Sequence, residues 1–207
     1  MMSGISRISI NGQTKGAGSW RFGVAERYND YVNRLYKYLF DIDDGEDIVN
    51  CDIDDKLGRY DRDFGVDVIL KLKNGQTITV QEKILTTKYD TVTVEYYQNP
   101  AKKEEGDWFK LKCDLYFVGY GSGKTDSAGN YVLDRFILLD WLLVRLSSKY
   151  IGWKYQINKR DGARASFMYA MFNEFPPHCV IAKLDDGKFT VNPIIKLYKT
   201  DKVNYEY

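Results

Sequence analysis

Histidine occurs once in this 207-residue chain, as His178 beside Pro176-Pro177. A lone imidazole cannot supply a three-histidine zinc site, and no surrounding pattern marks it as half of a catalytic triad. Cysteine is nearly as scarce. Cys51, Cys113 and Cys179 have no close spacing, which excludes zinc ribbons and clustered iron–sulfur ligands. An odd, scattered count suits a reducing compartment. No apolar run reaches the length of a membrane span, and the first residues lack the apolar stretch of a signal peptide. The expectation is a soluble, cytoplasmic protein with no membrane partner. Charge imbalance is small as well. The formal net charge is +1, so long-range attraction to nucleic acid must come from a local patch.

The rest of the composition is that of a globular protein, with 44% hydrophobic and 29% charged residues. One domain over residues 1–207 is the natural reading, with residues 1–18 loosely structured. Aromatics are plentiful at 15%, including 17 Tyr, which points to Tyr-rich packing or an adhesive surface.

The most specific segment runs from Gly65 to Lys83. Val66–Leu72 is β-branched and apolar, Thr77–Lys83 alternates, and Asn74-Gly75 between them is a strong hairpin signal. Loop length sets the register, and a one-residue slip turns every side chain over. With Asn74-Gly75 alone as the loop, Asp67 stands opposite Glu82 and both faces are mixed. With Lys73-Asn74-Gly75 as the loop and Gly75 left-handed, Val68 pairs with Val80 and Leu70 with Ile78. Burial favours this second register, because two or three paired aliphatics at about 25 cal/mol per Å² outweigh the difference between turn types. It sets Asp67 opposite Gln81 with Lys83 beside them and leaves Glu82 pointing the other way.

Such a cluster suits phosphodiester hydrolysis. A divalent cation neutralises the anionic oxygens and lowers the pKa of a bound water, and a nearby Lys orients or deprotonates that water. Mg2+ prefers hard oxygens and keeps several waters, so few protein ligands suffice; Mn2+ would also serve. Asp67 would be the main ligand, Gln81 would offer its amide oxygen, and Glu82 its backbone carbonyl. The same residues also read as the solvated face of an antiparallel sheet.

Gly65-Val66-Asp67-Val68-Ile69 followed by Ile78-Thr79-Val80-Gln81-Glu82-Lys83 resembles the core motif of the PD-(D/E)xK, restriction-endonuclease-like nucleases, in the Gln-x-Lys form of the Mrr-like branch. The resemblance implies Asp67, Gln81 and Lys83 as the catalytic set, with Asp67 on the metal, Gln81 at the acid-or-amide position and Lys83 as the catalytic Lys. It departs from most of that superfamily at Gln81, where an acid is usual. A neutral amide binds metal more weakly. The family often adds a Glu from a preceding helix. Ser19–Phe40 reads as that helix, with Tyr28, Tyr31, Val32, Leu35 and Leu39 at three-to-four spacing. Its only Glu, Glu26, falls opposite the apolar stripe, which fits a solvated side chain as well as a metal ligand. Asp61 and Asp63 stand at the strand's mouth and read either as second-metal ligands or as a turn.

Around this segment the chain is locally basic. Lys71, Lys73 and Lys88 are candidate nucleic-acid contacts, with Lys102, Lys103, Lys110 and Lys112 further on. Tyr89, Tyr96, Tyr97 and Trp108 are interleaved with them, a mixture that fits phosphate neutralisation plus base stacking, or simply a solvated sheet face. Glu104-Glu105-Gly106-Asp107-Trp108-Phe109 is a turn with aromatic anchors, or the border of a substrate groove. Gly119-Tyr120-Gly121-Ser122-Gly123-Lys124-Thr125 fails as a phosphate loop, because Val118 stands where the first Gly is needed and turn residues follow.

Further elements read as strands at Ile48–Ile53, Thr91–Tyr97 and Leu111–Val118, the latter two extending the hairpin's sheet. Leu133–Lys149 reads as a buried helix with strand character before Leu138. Tyr155–Asn158, Cys179–Lys183 and Lys188–Val191 read as short strands, and Ala163–Phe172 as helix or strand. The expected architecture is a mixed α/β (α+β) fold, a restriction-endonuclease-like core whose central mixed sheet carries the hairpin and is flanked by helices. The expected function is a magnesium-dependent nuclease, with DNA favoured over RNA and a homodimer possible. Two rivals stand beside it: an inactive nuclease-fold module for nucleic-acid binding or viral assembly, and a structural domain whose Tyr-rich surface contacts protein.

Overall fold

Helix α1 (Ser19–Phe40) forms where the three-to-four apolar spacing predicts it. Tyr28, Val32, Leu35, Tyr36, Leu39 and Phe40 make its buried stripe. The helix stops at Asp41, which adopts φ 56° while the Ile42 N–H reaches back to the Lys37 carbonyl at 3.2 Å. That left-handed residue and six-to-one bond close the last turn. The computed structural model describes residues 19–42, 47–51, 64–86, 89–157 and 165–199. Residues 1–18, Asp61, Asp63 and Lys88 lie outside the described residues.

The hairpin follows. Strand β1 (Ile48–Asn50) pairs with β2 (Val68–Lys71), and β2 pairs with β3 (Thr77–Leu85) in the register Val68 to Val80 and Leu70 to Ile78. Gly75 adopts φ 78°, its N–H bonds the Leu72 carbonyl at 2.9 Å, and the Leu72 N–H bonds the Gln76 carbonyl at 2.8 Å. The three-residue loop is therefore the one formed.

From β3 the chain crosses to a second sheet. It runs through β4 (Thr91–Asn99), β5 (Glu104–Glu105) and the single turn α2 (Asp107–Lys110), then returns as β6 (Leu115–Tyr120). Strand β6 lies parallel to β3, with Val80 beside Leu115 and Lys83 beside Val118; a parallel pair requires such a crossover. Strand β7 (Arg135–Asp140), helix α3 (Trp141–Leu146), β8 (Lys154–Ile157), β9 (Ser166–Met171), β10 (Val180–Asp185), β11 (Lys188–Val191) and α4 (Lys196–Lys199) complete the order.

The result is a mixed α+β fold with a central mixed sheet and flanking helices. The seven-stranded sheet has the order β1-β2-β3-β6-β7-β10-β11, and the four-stranded sheet β5-β4-β9-β8. Two cores lie on opposite faces of the large sheet. On one face Val68, Leu70, Val80, Leu115 and Phe117 pack against α1. On the other, Tyr116, Val118, Ile137 and Leu139 pack with Val92, Val94 and Ala170 of the second sheet. Every residue of β6 is buried, as expected of a strand covered on both sides. Among the described residues no helix is long and apolar enough to cross a membrane.

Two sequence expectations need correction. Thr91–Tyr97 does not extend the hairpin's sheet but lies in β4, which centres the smaller one, pairing with β9 and β5. Leu133–Lys149 divides between the six-residue strand β7, which runs on past Leu138 to Asp140, and the six-residue helix that follows it. Phe136 and Leu138 face the α1 core, while Ile137 and Leu139 face the other. Burial on both faces hides the period of two, and a continuous apolar run then resembles a buried helix. The undecided Ala163–Phe172 segment contains strand β9.

Candidate functional site

Asp67 immediately precedes β2, held by its backbone on both sides. Its N–H bonds the Val80 carbonyl at 2.9 Å, and its carbonyl accepts the Cys51 N–H at 2.8 Å. Its Oδ2 accepts two hydrogen bonds, from Gln81 Nε2 at 2.5 Å and from the Glu82 N–H at 2.6 Å. The hairpin register thus delivers the contact between Asp67 and Gln81. Gly65 makes room for it. Gly65 adopts φ 60°, and a Cβ there would collide with Leu111 and stand 2.9 Å from Gln81 Oε1.

Glu82 divides between the two faces. Its carbonyl accepts Gln81 Nε2 at 3.3 Å, beside Asp67. Its carboxylate turns to the helix side, where Oε1 accepts the Tyr36 hydroxyl at 2.8 Å. Burial holds the Tyr36 phenol well above its ordinary pKa, and the Glu82 charge adds to the shift. Tyr36 therefore remains a donor.

Lys83 is half-buried on β3, two residues beyond Gln81, and its Nζ donates to the Thr93 carbonyl of β4 at 2.9 Å. The Tyr116 hydroxyl donates to that carbonyl as well, at 3.2 Å. Glu95, two residues further along β4, interacts with Lys83 and Lys110 and with the like charge of Asp107. Burial raises its carboxyl pKa, Asp107 adds to the rise, and the two lysines oppose it. Tyr116 is held protonated chiefly by burial, with Asp107, Cys113 and Asp67 adding to the shift. Burial likewise pushes the Cys113 thiol up to about 12, although the Gln81 backbone hydrogen-bonds to it, so it stays a thiol at neutral pH.

The structure thus joins Asp67, Gln81 and the Glu82 carbonyl, and places Lys83 next along the strand. It brings in Thr93, Glu95, Asp107 and Tyr116 from the second sheet, its crossover and β6. Glu95 carried no sequence signal; Asp107 belongs to the acidic segment read as a possible groove border. Glu26 lies on the exposed side of α1, whose buried stripe packs on the other sheet face, so it does not join this group. Lys71 is exposed at the end of β2, and Lys73, exposed in the turn, stands 3.5 Å from the Asp41 carboxylate. Among the described residues no group of three or more His, Cys, Asp or Glu could hold a metal ion. The oxygens on offer are one carboxylate, one amide and one carbonyl. They are hard ligands of the kind magnesium takes, with water filling the remaining positions.

No family model matches the chain, and it finds no match among the curated proteins or the solved structures.

Proposed function

We propose that the chain is a divalent-metal-dependent phosphodiesterase acting on nucleic acid, DNA in preference to RNA, on a restriction-endonuclease-like core. The observation that carries this reading is the direct contact of Asp67 with Gln81, with the Glu82 carbonyl alongside. As it stands, the Gln81 amide gives its Nε2 to the carboxylate. A cation on Asp67 reverses that preference and calls for Oε1, a turn of the amide that needs no backbone change. When bound, magnesium would neutralise phosphate charge and lower the pKa of its water. Lys83 would position or deprotonate the attacking water, after exchanging the Thr93 carbonyl for it.

A second reading has its own support. Asp67 Oδ2 and Lys83 Nζ are both engaged in hydrogen bonds that stabilise the fold, and Gln81 is neutral. A nuclease-fold module that binds nucleic acid without cutting it, or serves in viral assembly, would keep these contacts.

One experiment separates the readings. Labelled single-stranded, duplex and branched DNA and RNA are incubated with the protein in magnesium, manganese or chelator. Cleavage that needs metal and is lost in Asp67→Asn and Lys83→Ala, with unfolding midpoints retained, supports the enzyme. Binding in every arm without cleavage supports the module. Neither binding nor cleavage rejects both the enzyme and the nucleic-acid-binding module.

A further inference from the structure

On the α1 side of the large sheet lies a cavity of about 360 Å³, within the range of small-ligand pockets. Helix α1, the loop before β7 and the β10–β11 hairpin border it as an open groove. Its walls are rings, from Tyr31, Tyr38, Phe136 and Phe189, with aliphatic side chains between them. Tyr38 and Phe189 are 68% and 41% exposed, with centroids 6.0 Å apart, so two large rings face open space at its mouth.

The polar side of this cavity carries one charge of each sign, and they are unequally engaged. Arg34 and Asp126 both line it, 3.6 Å apart. Asp126 is already committed to its own loop. Its Oδ1 accepts the Ala128 N–H at 3.0 Å and the Asn130 N–H at 2.9 Å, and the Asn130 amide stands 3.2 Å from Oδ2. The Arg34 guanidinium carries five donors, and its contact with Asp126 is longer than a hydrogen bond. An entering molecule therefore meets aromatic faces and an under-used cationic fork.

We propose that this cavity binds a small planar aromatic anion, its ring against Tyr38 and Phe189 and its negative group on Arg34. Flat rings prefer offset or edge contacts with other rings, and a guanidinium fork matches a carboxylate, sulfonate or phosphate. The site is on the far face from Asp67 and stands whether or not the chain is a nuclease.

The probe is 1-anilinonaphthalene-8-sulfonate, titrated by fluorescence and calorimetry against its uncharged parent, N-phenyl-1-naphthylamine. The expected result is one saturable site per chain. Phe189→Ala should weaken both probes about tenfold, while Arg34→Gln should weaken only the sulfonate by about tenfold. Tyr38→Ala, at a more exposed position, replaces Phe189→Ala if that variant has a lowered unfolding midpoint. Absence of saturable binding overturns the proposal, as does affinity unchanged in these variants. A straight-chain sulfonate binding as tightly overturns the ring assignment. Concentration-dependent dimerisation that excludes the probe in sedimentation also overturns it, since a second copy would then be the occupant.

Discussion

Gln81 Nε2 donates to Asp67 Oδ2 at 2.5 Å, on an oxygen that also accepts the Glu82 N–H. A neutral amide can sit against the carboxylate by donating its N–H, with no cation required. Gln81→Glu would place two anions in contact and is expected to lose about 1–3 kcal/mol of stability in chelator. That is a fall of about 2–4 °C in unfolding midpoint per kcal/mol for a chain of this size. Magnesium should restore the midpoint by neutralising the pair. Midpoints with and without magnesium that match wild type would contradict the arrangement.

Gly65 and Gly75 both adopt left-handed backbone, at φ 60° and 78°, but only Gly65 is crowded. Gly75→Ala should cost about 1–2 kcal/mol, the conformational penalty alone. Gly65→Ala should cost more, and it should also disturb Gln81, whose amide oxygen the new methyl would press. Urea unfolding of the two variants reads the difference. Equal losses would mean that Gly65 serves the turn and not the site.

Glu95 gives a pH dependence. Burial raises its carboxyl pKa above the ordinary 4.5, and Asp107 adds to the rise against Lys83 and Lys110. A group with a raised folded-state pKa stabilises the fold below its unfolded-state value, and that contribution is lost as pH rises through the folded-state value. Once pH has risen past the folded-state value, ionised Glu95 is a cost. Glu95→Gln should therefore melt higher than wild type at pH 8, with the advantage shrinking toward pH 4. A variant that melts lower at pH 8 would show that Lys83 and Lys110 prevail.

All three cysteines are buried thiols, and burial pushes the Cys113 thiol up to about 12. Ellman's reagent at pH 8 should label none in the native protein and all three in denaturant. Rapid native labelling of any of them would mean that the cores around them open readily.

Much of the hairpin was legible because its determinants are neighbours in sequence. Asn74-Gly75 states the turn, and the pairs Val68 with Val80 and Leu70 with Ile78 choose between two loop lengths by burial. The contact of Asp67 with Gln81 and the divergence of Glu82 follow from that register. Helix α1 was legible for the same kind of reason, since its stripe and its only Glu are set by the helical period. The Phe136–Leu139 run was not, because a strand buried on both faces loses its alternation.

By itself, then, the sequence determined the ribbon bearing Asp67, Gln81 and Lys83, and which way each neighbour points. Only the tertiary structure decided what Lys83 meets. Strand β4 leaves the hairpin's sheet for a second one, and so the Thr93 carbonyl, and with it Glu95, comes to the lysine. Turn chemistry and side-chain alternation act over a few residues and are written locally. Which sheet a strand joins depends on burying Val92 and Val94 against Tyr116, Val118 and Ala170, residues up to about eighty positions away, and no local pattern carries that choice.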